Sequence, residues 1–245
     1  MLYFADYYLN TDAALMITGS HNPSEYNGFK MVVNKHSFFS ENIKKFKSIV
    51  ADITLEKKEG SIEEYNIIDA YVKRILKNIS IKKKLKISWD IGNGAMGVVI
   101  DKVISKLKNT ENIILKKEVD GNFPNHHPDP SNPKNLLFCK EEILKSNYDL
   151  GIAFDGDGDR IGVVDDKGRE VPGDILLLVL SKNVLKSKSN AVIIGDVKCS
   201  QVLFDEIYRL GGKSIMSQTG HSHVKVNMKN YDADLAGEMS GHIFF

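Results

Sequence analysis

Short apolar runs alternate along this chain with segments of helical period, and that alternation constrains the fold more than any other feature. Residues 13–18, 85–90, 112–117, 149–154, 191–195 and 213–217 read as strands. Residues 40–53, 67–79, 98–107, 134–146, 174–185, 200–210 and 221–230 read as helices, several with apolar side chains three and four positions apart. In the first of these, Ile43, Phe46, Ile49, Val50 and Ile53 share one face behind Ser40 as N-cap. Strand–helix–strand order requires crossover connections, so an α/β architecture with mostly parallel sheets is expected. Two such units, meeting near residue 170, follow a shorter partial one. The charged segment 56–61 reads as a linker.

Composition removes several functional classes. Among 245 residues, Lys+Arg number 33 and Asp+Glu 32, which points to neither nucleic acid nor an anionic membrane as partner. The N-terminus lacks a basic segment followed by a long apolar one, and the longest aliphatic run, 175–180, is far shorter than a bilayer span. A cytoplasmic protein is expected, with Cys139 and Cys199 as reduced thiols, because their spacing matches no metal or redox motif.

In parallel α/β sheets, ligands bind outside the carboxyl ends of strands. Four polar loops stand there: 18–23, 155–160, 219–222 and 237–242. The second is Asp-Gly-Asp-Gly-Asp-Arg between two apolar runs. Alternate side chains in an extended chain lie roughly 7 Å apart on one side, and the glycines let Asp155, Asp157 and Asp159 close on a single ion. Three hard oxygen donors suit Mg²⁺ or Ca²⁺. An EF-hand would need glycine at the sixth position and glutamate at the twelfth, where this chain has Arg160 and Asp166.

Ser20, in Thr-Gly-Ser-His-Asn-Pro, has no nucleophile elbow around it, so a hydrolase triad is not supported. A phosphorylated Ser20 would instead bring about −1.5 to −2 charges and three acceptor oxygens to a metal held by the aspartates. Residues 92–97, Gly-Asn-Gly-Ala-Met-Gly, match the dinucleotide fingerprint, yet the acidic residues Glu118 and Asp120 come late for it. A tight strand–helix junction is the preferred reading. Glu238, Ser240 and His242 alternate and would share one side of an extended segment, suited to vicinal sugar hydroxyls.

These motifs resemble the α-D-phosphohexomutases, in the phosphomannomutase/phosphoglucomutase branch. The resemblance rests on residues 18–23 and 26–30 (Tyr-Asn-Gly-Phe-Lys), 155–160 and 237–242, with His127-Pro128-Asp129-Pro130, Lys198 and residues 219–222 in support. It implies a Mg²⁺-dependent mutase that interconverts hexose 1-phosphate and hexose 6-phosphate through phosphoserine 20 and a hexose 1,6-bisphosphate intermediate. Asp155, Asp157 and Asp159 would hold Mg²⁺ with the Ser20 phosphate. His21, Lys30 and Arg160 would steady charge or move protons. Lys198, His221, Glu238, Ser240 and His242 would bind the sugar phosphate.

It further implies consecutive βαβ domains with mixed, mostly parallel sheets. These are a partial domain 1 at 1–65 with the phosphoserine loop, domain 2 at 66–170 with the Mg²⁺ loop, and an incomplete domain 3 at 171–245 with the sugar loop. Compared with the four-domain pattern, the chain reads as truncated at both ends and without domain 4. Two alternatives follow: an enzyme, present here as a fragment or complemented by separately encoded pieces, or an inactive remnant that only binds metal or phosphosugar. A nucleotide-dependent oxidoreductase is the third reading.

Overall fold

The computed structural model describes residues 1–54 and 59–245, so the linker expected at 56–61 lies partly outside the described residues. Two compact units form, one from residues 1–18 and 27–79, the other from 19–26 and 80–245.

The first unit contains α1 (Leu2–Tyr8), β1 (Ala13–Ile17), β2 (Phe29–Val33), β3 (His36–Phe38), α2 (Glu41–Asp52) and α3 (Ile68–Leu76). Its sheet, β1-β2-β3, is antiparallel throughout. The β2–β3 hairpin is not foreseen above, because its turn carries no glycine. Asn34 and Lys35 instead adopt φ of 49° and 63°, the left-handed backbone that a two-residue hairpin turn requires. The Lys35 ammonium donates to the carbonyls of Asp6 and Thr11, both at 2.7 Å, and to Asp6 Oδ1 at 3.1 Å, tying the hairpin to α1. The Thr11 hydroxyl holds the Asp6 carboxyl below its ordinary pKa against the opposing pull of burial, with help from Lys35.

Ser40 does precede α2, but it adopts φ 50° and its side chain makes no capping bond. The apolar residues of that helix, Ile43, Phe46, Ile49 and Val50, are exposed rather than covered. The register of β1 against β2 pairs Ala13 with Val33, Leu15 with Met31 and Ile17 with Phe29, and Leu15, Ile17, Phe29 and Val33 are exposed too.

The second unit carries two sheets. The first uses β4 (Leu85–Asp90), β5 (Thr110–Leu115), β6 (Leu150–Phe154), β7 (Ile161–Asp165) and β8 (Glu170–Val171), in the order β5-β4-β6-β7-β8. Strand β4 is parallel to β5 and β6, while β6–β7 and β7–β8 are antiparallel. Helices α4 (Ile100–Ile104) and α5 (Leu137–Ser146) accompany this sheet. Both expected helices open more tightly than their periodicity implies. A 3₁₀ turn, Ala95–Val98, precedes α4, and another, Pro133–Leu136, precedes α5. In the second case Asn132 caps the Lys134 amide and proline takes the first position, where its missing N–H is harmless.

The other sheet, β10-β9-β11-β12, comprises β9 (Val192–Asp196), β10 (Lys213–Ser217), β11 (Leu235–Gly237) and β12 (Ile243–Phe244), with α6 (Gly173–Ser187), α7 (Gln201–Arg209) and α8 (His221–Tyr231). Its three longer strands are parallel and β12 is antiparallel. Both sheets are therefore mixed, with parallel strands at the centre.

The apolar core clusters among the described residues lie in this unit. Ile87, Trp89, Ile91 and Ile100 form one cluster, Leu136, Cys139, Ile143, Ala153 and Val164 a second. Leu177, Ile193, Leu203, Phe204, Ile207 and Leu235 dominate a third. A fully buried side chain of this kind contributes about 1.5–3 kcal/mol. Cys139 and Cys199 are free thiols in separate clusters, and burial is the main force pushing each pKa up to about 12. Such thiols stay protonated and unreactive. No helix among the described residues is long and apolar enough to cross a membrane.

Candidate active site

The acidic loop joins β6 to β7, so it is at once the carboxyl end of a parallel strand and the turn of a hairpin. Asp155 is completely buried. Its Oδ1 accepts the amides of Asp159 at 2.9 Å and Arg160 at 3.1 Å, which curls the chain back on itself. One oxygen from each of Asp155, Asp157 and Asp159 then lies within 4.8 Å of the others. Burial, followed by the charges of Asp159 and Asp157, raises the Asp155 pKa to about 6. Three converging hard donors with mutual repulsion, one of them out of water, fit a divalent cation.

Ser20 reaches this cluster from 135 residues away in sequence. Its Oγ stands 3.0 Å from Asp155 Oδ2, 3.4 Å from Asp157 Oδ1 and 3.1 Å from His21 Nδ1. The serine adopts φ 53°, an uncommon backbone for a residue with a Cβ and one that concentrates at functional sites. Two tight turns hold it there: the Asn22 amide donates to Gly19 O, and the Tyr26 amide to Pro23 O, both at 2.9 Å. Burial and the Arg160 charge hold the His21 pKa down, with Asp129 opposing them, so a neutral imidazole faces the hydroxyl. Arg160 itself lies 3.7 Å from Asp129 and 4.0 Å from Asp155.

The sugar-loop candidates join the same cluster by another geometry than the one expected. Residues 238–241 form a turn, with the Gly241 amide donating to Glu238 O at 3.0 Å, so the three side chains converge through their own contacts rather than by alternation in an extended strand. His242 Nδ1 lies 2.9 Å from Glu238 Oε2 and 3.0 Å from Ser240 Oγ, while Nε2 lies 3.2 Å from Asp159 Oδ1. Burial alone would lower the His242 pKa. Hydrogen bonds to Asp159 and Glu238 override it and lift the value to about 9. The His221 ring sits 5.9 Å from that of His242, and the Gly220 amide donates to Glu238 Oε1. The two sheets meet here, where the Ile161 amide donates to Gly241 O at 3.1 Å.

Ser20, His21, the three aspartates, Arg160, His221, Glu238, Ser240 and His242 thus come together. Two expected residues are not shown in that group. Lys30 lies on β2 in the first unit, and Lys198 is exposed on the turn after β9, fixed through its main-chain amide to Asp196 Oδ1 at 3.2 Å.

Sequence reasoning overlooked two fully buried acids. Asp196 ends β9 and accepts from Lys198 N, Cys199 Sγ and Thr219 Oγ1, with Met239 N at 3.4 Å, so one carboxylate organises three loops. Asp90 ends β4, accepts the Gly92 amide at 3.0 Å and meets His126 Nε2 at 3.2 Å. The available signal was an aspartate closing an apolar strand, in Ile-Ser-Trp-Asp and again in Ile-Ile-Gly-Asp.

Mixed α/β sheets with an acidic cluster at the carboxyl ends, met there by a serine, define the class, and comparison with known proteins supplies the family. Domains I, II and III of phosphoglucomutase/phosphomannomutase (alpha/beta/alpha) match residues 1–57, 69–168 and 172–245 respectively. The chain belongs to the phosphoglucomutase/phosphomannomutase family. It is 46% identical over 244 residues to a phosphomannomutase/phosphoglucomutase of Pseudomonas syringae pv. tomato, covering 100% of this chain and 52% of the relative. It is 42% identical over 247 residues to a phosphoglucomutase of Neisseria gonorrhoeae, covering 100% and 54%. A crystal structure of a phosphoglucomutase/phosphomannomutase family protein from Burkholderia thailandensis superposes with TM-score 0.90 at 41% identity, covering 96% of this chain and 51% of that one. The chain spans about half the length of the curated relatives it matches.

Proposed function

We propose that this chain carries the phosphoserine and metal site of a phosphohexomutase, which interconverts hexose 1-phosphate and hexose 6-phosphate of mannose or glucose through a hexose 1,6-bisphosphate. The observation that carries the reading is the Ser20 hydroxyl, within 3.4 Å of two carboxylates of a three-aspartate cluster. Asp155, Asp157 and Asp159 would hold the cation, and Mg²⁺ suits their all-oxygen donor set. When bound, it would supply positive charge to the phosphate on Ser20.

The other residues take roles that follow from their surroundings. In the forward half, the bond between phosphorus and Ser20 Oγ breaks as one to a sugar hydroxyl oxygen forms, and the hydroxyl proton must leave. His21, neutral and 3.1 Å from Ser20 Oγ, is placed to exchange that proton with the serine oxygen. Arg160, beside both Asp129 and Asp155, offers fixed positive charge to the transferring group, and Lys30 is assigned the same task. Glu238, Ser240 and His242 would receive sugar hydroxyls, with Lys198 and His221 near the substrate phosphate. The second half returns a phosphoryl group from the other end of the bisphosphate to Ser20. The same reading divides the chain at 1–65, 66–170 and 171–245.

Two measurements test it. Intact mass should show one phosphate after incubation with hexose 1,6-bisphosphate, absent in Ser20→Ala. A coupled assay from mannose 1-phosphate to mannose 6-phosphate with Mg²⁺ should fall more than ~1000-fold in Ser20→Ala, the scale on which loss of an activated nucleophile acts. Turnover equal in the two proteins would sink the catalytic reading and leave binding of metal or phosphosugar as the function.

A further inference from the structure

The glycine-rich segment 92–97 has no part in the chemistry above, yet its packing is unusually close. The segment is itself firmly held. Asn93, buried and at φ 60°, donates its main-chain amide to Lys116 O at 2.8 Å and its side-chain amide to Glu118 O at 2.7 Å, and its Oδ1 accepts from Asn125 at 2.8 Å. From this anchored base the Ala95 amide donates to Gly156 O at 2.8 Å. That amide opens the 3₁₀ turn, where a nucleotide phosphate would otherwise be cradled. The donor is taken by the acidic loop, which leaves the dinucleotide reading without its seat.

Side chains are excluded along this line. A Cβ on Gly94 would stand 2.7 Å from Gly156 O and 3.1 Å from Asp155 O, both main-chain atoms that cannot swing aside. On the far side of the acidic loop, a Cβ on Gly156 would collide with the carbonyl oxygen of Ser20. Three backbones are therefore stacked: the glycine-rich loop against the acidic loop, and the acidic loop against the serine loop.

We infer that Gly94 and Gly156 are positioning residues: the glycine-rich loop braces the aspartates, and the acidic loop braces Ser20, through approaches only glycine permits. The inference rests on the metal reading of the aspartate cluster, and the test separates the two. Mn²⁺ is titrated calorimetrically into the full chain and into Gly94→Ala, Ala95→Pro, Asp157→Asn and, as a control, Gly121→Ala, whose Cβ would meet nothing within 4 Å. Ala95→Pro guards against a Gly94→Ala protein that does not fold. Proline is tolerated at the opening residue of a helical turn, the preceding Gly94 is extended at φ −85° and ψ −180°, and the ring replaces the bond to Gly156 with a clash.

The expected result is an Mn²⁺ dissociation constant raised about tenfold or more in Gly94→Ala and Ala95→Pro, the range seen when outer partners of a metal site are removed. Gly121→Ala should match the unaltered chain. Gly156→Ala should lose the Ser20 phosphate in intact mass after exposure to hexose 1,6-bisphosphate, because its Cβ would displace the serine loop. If the unaltered chain binds Mn²⁺ no better than Asp157→Asn, the metal reading falls and takes the inference with it. If the unaltered chain binds but both glycine-loop variants bind equally well, the brace alone is overturned. Full phosphate on Gly156→Ala overturns its serine half.

Discussion

The acidic loop and the sugar loop are neighbours with opposite electrostatic designs. Residues 155–159 gather carboxylates, and burial together with the charges of Asp159 and Asp157 raises the Asp155 pKa to about 6. Residues 238–242 pair their charges, with the His242 imidazolium between Glu238 and Asp159 and its pKa near 9. The first arrangement asks for a cation from outside. The second is already balanced by its own histidine and, on the reading proposed above, would meet the hydroxyls of a sugar. An ion pair, His242–Asp159, joins the two. Metal and sugar recognition should therefore separate under mutation.

The largest expected effect is on the acidic loop. Asp157→Ala should weaken Mn²⁺ binding about 100-fold, measured by calorimetry, with the melting temperature held or raised because a repulsive charge is gone. A loss below threefold would mean the cluster is an acidic surface and not a seat for an ion. Next, Asp196→Ala should weaken hexose phosphate binding about tenfold by releasing the turns at Lys198, Thr219 and Met239, and leave the Mn²⁺ affinity alone. Equal losses of both ligands would erase the separation. Glu238→Gln should lower the His242 pKa, followed by its ring proton shifts in NMR, because one of two carboxylate partners becomes neutral. An unmoved titration would show that Asp159 alone sets it.

The smallest effect lies behind the site. Burial works to lower the His126 pKa, but Asp90 overrides it and the net shift is upward from 6.5. A raised folded-state pKa gives stability that is complete below 6.5 and lost as pH climbs through the folded value. His126→Gln should therefore cost about 1 kcal/mol by urea unfolding at pH 5.5 and less at pH 8.5. A pH-independent difference would remove charge from the account of this pair.

The legible parts of the molecule were local ones. Residues 155–160 carry their own strand, turn and ligands, and strand β10 fell on 213–217 as its pattern implied. Helices α5 and α6 were also visible, because their apolar spacing is confined to one element. What stayed hidden depends on distant partners. Asp90 meets His126 across 36 residues, and Asp196 meets Met239 across 43. An aspartate closing an apolar strand marks both positions, but the sequence does not show which distant groups each would meet. The β2–β3 hairpin was hidden because Asn34 and Lys35 take a turn that glycine usually marks. Helix α2 was legible as a helix, but periodicity gives only the direction of its apolar face and says nothing of what covers it.

The two amides curled onto Asp155 Oδ1 have one more effect, on denticity. That oxygen is engaged at 2.9 and 3.1 Å by the loop itself, so only Oδ2 faces Ser20 and the cluster. Asp155 can act as a one-oxygen ligand alone. Large cations such as Ca²⁺ gain from carboxylates that clasp with both oxygens, whereas Mg²⁺ takes single oxygens in a small octahedron and keeps its remaining places for water or phosphate. On the metal reading proposed above, the hairpin turn that shapes the loop would also select the ion by size.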